Sequence, residues 1–226
     1  MKKNIRIALD GPAAAGKSTA AKKIAEKLGF IYIDTGAMYR TLTYKALKNQ
    51  IEPKNEQELY TLLMNTVIEL KPGSDGQLVF LDGEEVTSEI RQQDVTKNVS
   101  DVALHQLVRT EMVRRQQELV KNGGIVMDGR DIGTAVIPDA ELKVFMSATA
   151  EERAKRRYEE HKKQGIHSDF NQLKAEIEQR DHIDSTRAVS PLVKAHDAVE
   201  LDTTHMSISD VVNKVTALAA ERGATI

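Results

Sequence analysis

The sequence predicts an α/β fold, a parallel sheet of five strands flanked by helices, with a small antiparallel piece inserted in its middle. Three observations carry this reading. Five short β-prone runs, Ile5–Asp10, Phe30–Asp34, Ile125–Asp128, Leu142–Met146 and Val199–Asp202, are separated by longer stretches of helical periodicity. Between the first two runs, Lys17–Gly29 sets Ala21, Ile24, Ala25 and Leu28 on one helical face and ends on a glycine. The middle differs in texture: Pro72-Gly73-Ser74-Asp75-Gly76 is a turn, Gln77–Leu81 alternates as a strand, and Asp82-Gly83 is a hairpin turn before a further strand.

Taken in order, the first run is broken by Arg6 and Asp10 and is too short for a secretory or membrane-spanning segment. A cytoplasmic protein is expected. Strands joined through helices must lie parallel, with both faces of the sheet covered and ligands collecting at the strands' carboxyl ends. Four of the five runs end in Asp (Asp10, Asp34, Asp128 and Asp202), which places those carboxylates at that edge. Residues 65–97 form the inserted subdomain. Thr149–Glu152 reads as a capping box that opens a helix running to Gly165, with Glu151–Lys155 and Glu152–Arg156 at the spacing of intrahelical ion pairs. Arg180, Asp184 and Arg187 are spaced to share one face of a further helix.

Composition narrows the function. The chain has 226 residues, 40% apolar and 29% charged, which suits an ordinary globular protein. With 32 Lys and Arg against 34 Asp and Glu, there is no overall charge to draw it onto nucleic acid or an anionic membrane. A monomer acting on small molecules is expected. The lack of cysteine excludes a disulfide scaffold, thiolate metal sites and a thiol nucleophile. None of the six histidines forms a paired-ligand pattern, so no protein-built zinc site is assigned.

The most specific signal is Gly11-Pro12-Ala13-Ala14-Ala15-Gly16-Lys17-Ser18, a phosphate-loop pattern directly after one strand and before a helix. Glycines let backbone wrap a phosphate without Cβ clashes, and the helix adds its positive end. Lys17 is expected to reach the β and γ phosphates, Ser18 to ligate Mg2+, and Thr19 to contact the α phosphate. The first ligand is therefore a nucleoside triphosphate, arriving with magnesium. Asp34 and Asp128 either orient the metal's waters or serve as plain cap and loop residues. No Asp-x-x-Gly or Asn-Lys-x-Asp string occurs, which argues against a switch GTPase, and no run ends in the adjacent carboxylates of a motor ATPase. A small kinase remains, with a non-enzymatic nucleotide-binding regulator as the other reading.

Arginines stand where an acceptor anion would need them. Asp34-Thr35-Gly36-Ala37-Met38-Tyr39-Arg40 follows the second strand, and Asp128-Gly129-Arg130-Asp131-Ile132-Gly133-Thr134 follows the third. With the phosphate loop, the antiparallel insert, Ser88–Arg91 and Arg180–Pro191, these segments resemble the bacterial cytidylate kinases of the nucleoside monophosphate kinase superfamily over essentially the whole chain. Thr35 stands where family members often have Ser. The resemblance implies transfer of the γ phosphate of ATP to CMP or dCMP. It further implies that Ser100, Arg109 and Asp131 read the cytosine edge, that Arg40, Arg130 and Arg187 hold the acceptor phosphate, and that Arg180 and Asp184 lie near the sugar. Tyr39 becomes a pocket wall. Residues 65–97 become the monophosphate-binding insert and 153–165 a lid, whose Arg153 and Arg157 clamp the transferring group together with Lys17, Arg130 and Arg187.

Overall fold

A computed structural model describes residues 4–73, 76–120, 123–163 and 165–225. Its main sheet is built from β1 (Arg6–Asp10), β2 (Ile31–Asp34), β6 (Ile125–Gly129), β7 (Leu142–Ser147) and β8 (Val199–Asp202), in the order β2-β6-β1-β7-β8 with every pairing parallel. Five strands were expected, and five form within a residue or so of the expected bounds.

Alternation along β1 explains how both faces are filled. Ile5, Ile7 and Leu9 point into one core with Ile24, Val126, Val144 and Val215, beneath α1 (Lys17–Leu28) and α8 (Ile208–Glu221). Ala8 points the other way, into a second core with Ile33, Met127 and Ile132. A third core gathers α2 (Thr35–Lys48), α3 (Glu56–Met64), α4 (Gln93–Val102) and α5 (Gln106–Leu119) around Leu42, Leu59, Leu63 and Met112.

The antiparallel sheet consists of β3 (Ile68–Gly73), β4 (Gly76–Leu81) and β5 (Glu84–Glu85) in sequential order. Asp82 and Gly83 both take positive φ, 51° and 91°, the conformation that a tight turn between twisted strands requires. Val79, Leu81, Val86 and Ile90 pack with Ala37 of α2, which fixes the sheet against the start of that helix. The strand β3 was not expected: it begins before the expected turn, overlaps it at Pro72 and Gly73, and pairs Pro72 with Gln77. Proline is tolerated there because β3 is an edge strand. Ser74 and Asp75 of the expected turn lie outside the described residues, as do Met1–Lys3 and Gln164. The expected insert boundary at residue 97 falls inside α4.

Two local expectations change. Of the capping box at Thr149, one half forms: Glu152 N–H donates to Thr149 Oγ1 at 3.2 Å. Thr149 N–H instead donates to Thr204, and the Glu152 carboxylate accepts from Arg156, so α6 (Ala150–Lys163) is tied to the loop after β8. Arg187 does not sit on a helix with Arg180 and Asp184. Helix α7 (Phe170–Thr186) stops one residue earlier, and Arg187 is extended, with φ −61° and ψ 144°.

Candidate active site

All the strand ends that feed the site converge on one cleft of about 1680 Å³ along the carboxyl edge of the main sheet. That exceeds the ~300–1,000 Å³ of a pocket for a single small ligand. Part of its lining is the phosphate loop from Ala13 to Thr19, and another part is a set of arginines, Arg40, Arg91, Arg109, Arg130, Arg180 and Arg187.

The loop's shape follows from its sequence. Gly11 has φ 145°, and a Cβ there would collide with the Met146 carbonyl of the neighbouring strand β7. Gly16 precedes α1 with φ 85° and gives no side-chain cap, so the helix's first amides are left for a ligand. Lys17 is only 5% exposed and donates to Pro12 O at 2.7 Å, across its own loop. Burial, with Arg130 nearby, pushes its ammonium down to about 7. An anion in the loop would reverse that cost by supplying the missing countercharge. Gly11 and Pro12 form the root of the loop rather than the cleft wall, which begins at Ala13.

Beside Lys17, the Ser18 hydroxyl donates to Asp128 Oδ2 at 2.8 Å. Asp128 is buried and also accepts from the Tyr32 hydroxyl. Burial and the neighbouring Asp34 push its carboxyl up to about 6. Hydroxyl and carboxylate oxygens are hard donors of the kind Mg2+ prefers. Among the described residues no group of three or more His, Cys, Asp and Glu gathers around a common point for a metal. A cation here would take most of its ligands from a bound triphosphate.

In the arginine-lined part each expected acceptor residue is present, and most are already paired with a carboxylate. Arg40 Nη2 donates to Asp34 Oδ2 at 2.6 Å, with Arg91 of the insert 3.6 Å from the same oxygen. Burial opposes ionisation of Asp34, but these two guanidinium groups hold it below the usual carboxylate range. Arg130 Nε donates to Asp184 Oδ2 at 2.8 Å, and Arg187 Nη1 reaches Asp184 Oδ1 at 3.4 Å. Arg187 Nε also donates to Ser190 O, which its extended backbone permits. Arg180 lines the cleft with its Nε buried and unpartnered, and burial and Arg130 lower its guanidinium to about 10.

Deeper in, Arg109 of α5 is 2% exposed, donates to Asp131 Oδ2 and Ala103 O, and lies 5.5 Å from the centre of the Tyr39 ring. Ser100 of α4 and Thr35 of α2 line the same wall. The Thr35 hydroxyl donates to Asp128 O, joining the two strand ends. Asp131 is positioned from behind: Asp10, at the end of β1, accepts from the N–H groups of Ile132 and Gly133 at 2.8 and 2.7 Å. This fixes the π-helical turn Ile132–Val136 that follows Asp131.

One expected residue is placed differently. Arg157 lines the cleft, but Arg153 is buried behind the phosphate loop. Its guanidinium donates to Ala13 O and Ala148 O and makes a two-pronged pair with Asp181 of α7. Four of these bonds engage a group with five N–H donors. Sequence reasoning missed Asp181, Arg91 and Tyr32. Each lies in a segment singled out above, Arg180–Pro191, Ser88–Arg91 and Phe30–Asp34, but nothing local gave it a role; the partners of Asp181 and Tyr32 lie 28 and 96 residues away.

A cleft lined by both a phosphate loop and a cluster of arginines suits a kinase that acts on a small anionic acceptor. The sequence model of the cytidylate kinase family matches residues 7–221. The chain is 60% identical over 222 residues to a cytidylate kinase of Anoxybacillus flavithermus (strain DSM 21510 / WK1), covering 98% of this chain and 99% of that one. It is 59% identical over 220 residues to a cytidylate kinase of Bacillus cereus (strain B4264), covering 97% and 98%. The chain belongs to the cytidylate kinase family and is a nucleoside monophosphate kinase. Among solved structures, a gluconokinase from Sinorhizobium meliloti 1021 aligns with a TM-score of 0.50 at 13% identity, covering 99% of this chain and 95% of that one. That likeness is one of fold alone. No helix among the described residues is long and apolar enough to cross a membrane.

Proposed function

We propose that this cleft carries out in-line transfer of the γ phosphate of ATP to the phosphate of CMP or dCMP, giving ADP and the nucleoside diphosphate, without a general base. The activity itself, ATP-dependent phosphorylation of CMP and dCMP, goes with membership of the family. The observation that carries the mechanism is that one cleft is lined both by the phosphate loop with Lys17 and by Arg40, Arg130, Arg180 and Arg187.

A nucleoside monophosphate has a second pKa near ~6, so at neutral pH its phosphate is mostly a dianion and already a nucleophile. An acceptor oxygen bonds to the γ phosphorus as the bond to the β–γ bridging oxygen breaks, and no proton has to be removed. The obstacle is repulsion between two polyanions, amounting to several kcal/mol at about 4 Å even at an effective dielectric of ~20. Cations fixed on both sides offset it without reorganising during the reaction. Mg2+, when bound with ATP, supplies further charge neutralisation at the β and γ phosphates. Ser18 is the residue to hold it.

In this reading the backbone of Ala13–Ser18 and Thr19 cradle the phosphates of ATP, with Gly11 and Pro12 shaping the turn. Lys17, Arg130, Arg157 and Arg187 neutralise the transferring group. Arg153 supports the loop through Ala13 O rather than touching phosphate, as its engaged donors indicate. Arg40, Arg130 and Arg187 leave their carboxylates to bind the acceptor phosphate. Ser100, Arg109 and Asp131 read the base, where a carboxylate and a guanidinium complement the exocyclic amine and the N3 and O2 acceptors of cytosine. Thr35 and Tyr39 form the wall, and Arg180 and Asp184 face the sugar. Residues 65–97 form the acceptor-side insert and 153–165 the lid that excludes water. We place the protein in the cytoplasm as a monomer.

A coupled assay of CMP, dCMP, UMP, AMP and shikimate with ATP and Mg2+ tests the proposal. CMP and dCMP should give the highest kcat/KM. Equal use of all five, or preference for another acceptor, would overturn it.

A further inference from the structure

Tyr32 has no part in the mechanism above, yet its hydroxyl is built into the donor side. It lies on β2, packs its ring against the core under α1, and donates to Asp128 Oδ1 at 2.9 Å. The other oxygen of that carboxylate accepts the Ser18 proton at 2.8 Å. A carboxylate held at both oxygens cannot rotate freely. Because the Ser18 hydroxyl gives its hydrogen to Asp128, its lone pairs remain for a cation, and the direction in which they point is set by where Asp128 stands.

Asp128 needs this support. Its register partner on β2 is Asp34, a second buried carboxylate, whose charge is already committed to Arg40 and Arg91. Like charges on adjacent strand ends repel each other. Lys17 supplies the nearby positive charge, and the Tyr32 hydroxyl the fixed direction.

We propose that Tyr32 is a positioning residue for the metal: by anchoring Asp128 it aims the Ser18 hydroxyl, and so sets how strongly Mg2+ tightens the grip on the triphosphate. The inference rests on the phosphate loop being the cradle of Mg2+–ATP. Partners one step behind a metal ligand typically change metal affinity by ~10–100-fold when removed. A hydroxyl two steps removed should lie at the lower end of that range.

Tyr32→Phe deletes the hydroxyl and keeps the ring against the core. The affinity of a fluorescent ADP is measured for wild type and variant, once in excess EDTA and once across a Mg2+ series. In EDTA the two proteins should bind within about twofold of each other. The tightening produced by Mg2+ should fall by about 10-fold in the variant. In turnover assays the Mg2+ concentration for half-maximal rate should rise, with KM for CMP unchanged. The same Mg2+ tightening in both proteins would overturn the role of Tyr32. Wild type that binds nucleotide but gains nothing from Mg2+ would instead overturn the metal reading of Ser18 on which the inference stands.

Discussion

In the proposed function the two parts of the cleft lining hold phosphate by opposite means. The donor wall is backbone and one cation: a loop with left-handed residues at Ala14 and Gly16, a helix end, and Lys17 folded onto Pro12 O. The acceptor wall is side chains, and most of its cations, Arg180 apart, are paired with anions. Asp34 holds Arg40 and Arg91, Asp184 holds Arg130 and Arg187, and Asp131 holds Arg109. A backbone cradle carries no net charge of its own, whereas a cluster of buried guanidinium groups would repel itself without internal counterions. Asp34 and Asp184 therefore act as stand-ins for the acceptor phosphate, on one wall only.

The strongest way to break this contrast is at Lys17. Lys17→Ala removes a buried ammonium from the donor wall and should lower kcat by about 10²–10³, the scale of losing a donor aimed at developing charge. Stability should scarcely fall. Burial already disfavours the Lys17 charge, as its ammonium lowered to about 7 indicates. A urea midpoint measured beside the rate checks both halves; a near-normal rate would mean that the loop does not serve the transferred phosphate.

The acceptor wall should behave in the reverse manner. Asp184 is buried, and burial alone would raise its pKa, but Arg130 and Arg180 lower it below the usual range. Asp184→Asn leaves Arg130 and Arg187 without their anion and should cost roughly 3–5 kcal/mol in the ligand-free protein, the scale for breaking a buried pair. Inorganic phosphate should then restore more stability to the variant than it adds to wild type, because it takes the vacated place. Urea unfolding with and without phosphate measures this. Equal stabilisation of the two proteins would show that the carboxylate is not a stand-in.

The same contrast decides what could be read from the sequence. The donor wall is contiguous, so the string Gly11–Ser18 and its place between a strand and a helix disclosed it. The acceptor wall is drawn from α2, α4, α5, the end of β6 and the end of α7, and only the family resemblance brought those segments together. Local chemistry hid the rest. Ser185 and Thr186 hydroxyls donate back to the Asp181 and His182 carbonyls of their own helix, a competition with continuing helix that spacing rules do not register. The chain then leaves α7, and Arg187 reaches Asp184 from outside the helix, not along its face. Arg153 showed the same limit. Its position one turn from Arg157 suggested a shared role, but the pairing of α6 with α7 offers it Asp181 and turns it behind the loop. The five strands were legible because each is a short apolar run, whereas β3 was not, because Pro72 and its flanking charges read as a turn.

The finest test separates the base-reading end of the acceptor wall from its phosphate-holding end. Asp131 accepts from Arg109, which is pressed against Tyr39 and held by Ala103 O, while Asp10 fixes the backbone just beyond it. Asp131→Asn keeps the shape and the tether to Asp10 but removes the charge and offers an amide of either polarity. Cytosine, with its amine donor, should lose more than uracil, which has a carbonyl in that place. The ratio of kcat/KM for CMP to that for UMP should fall about tenfold, within the ~1–3 kcal/mol usual for a two-pronged base contact. KM for ATP should stay within about twofold. Loosening of the buried Arg109 will lower the yield of folded enzyme, but a ratio of two acceptors measured on one preparation does not depend on how much of it is active. An unchanged ratio would remove Asp131 from base recognition and leave it as the anchor of Arg109.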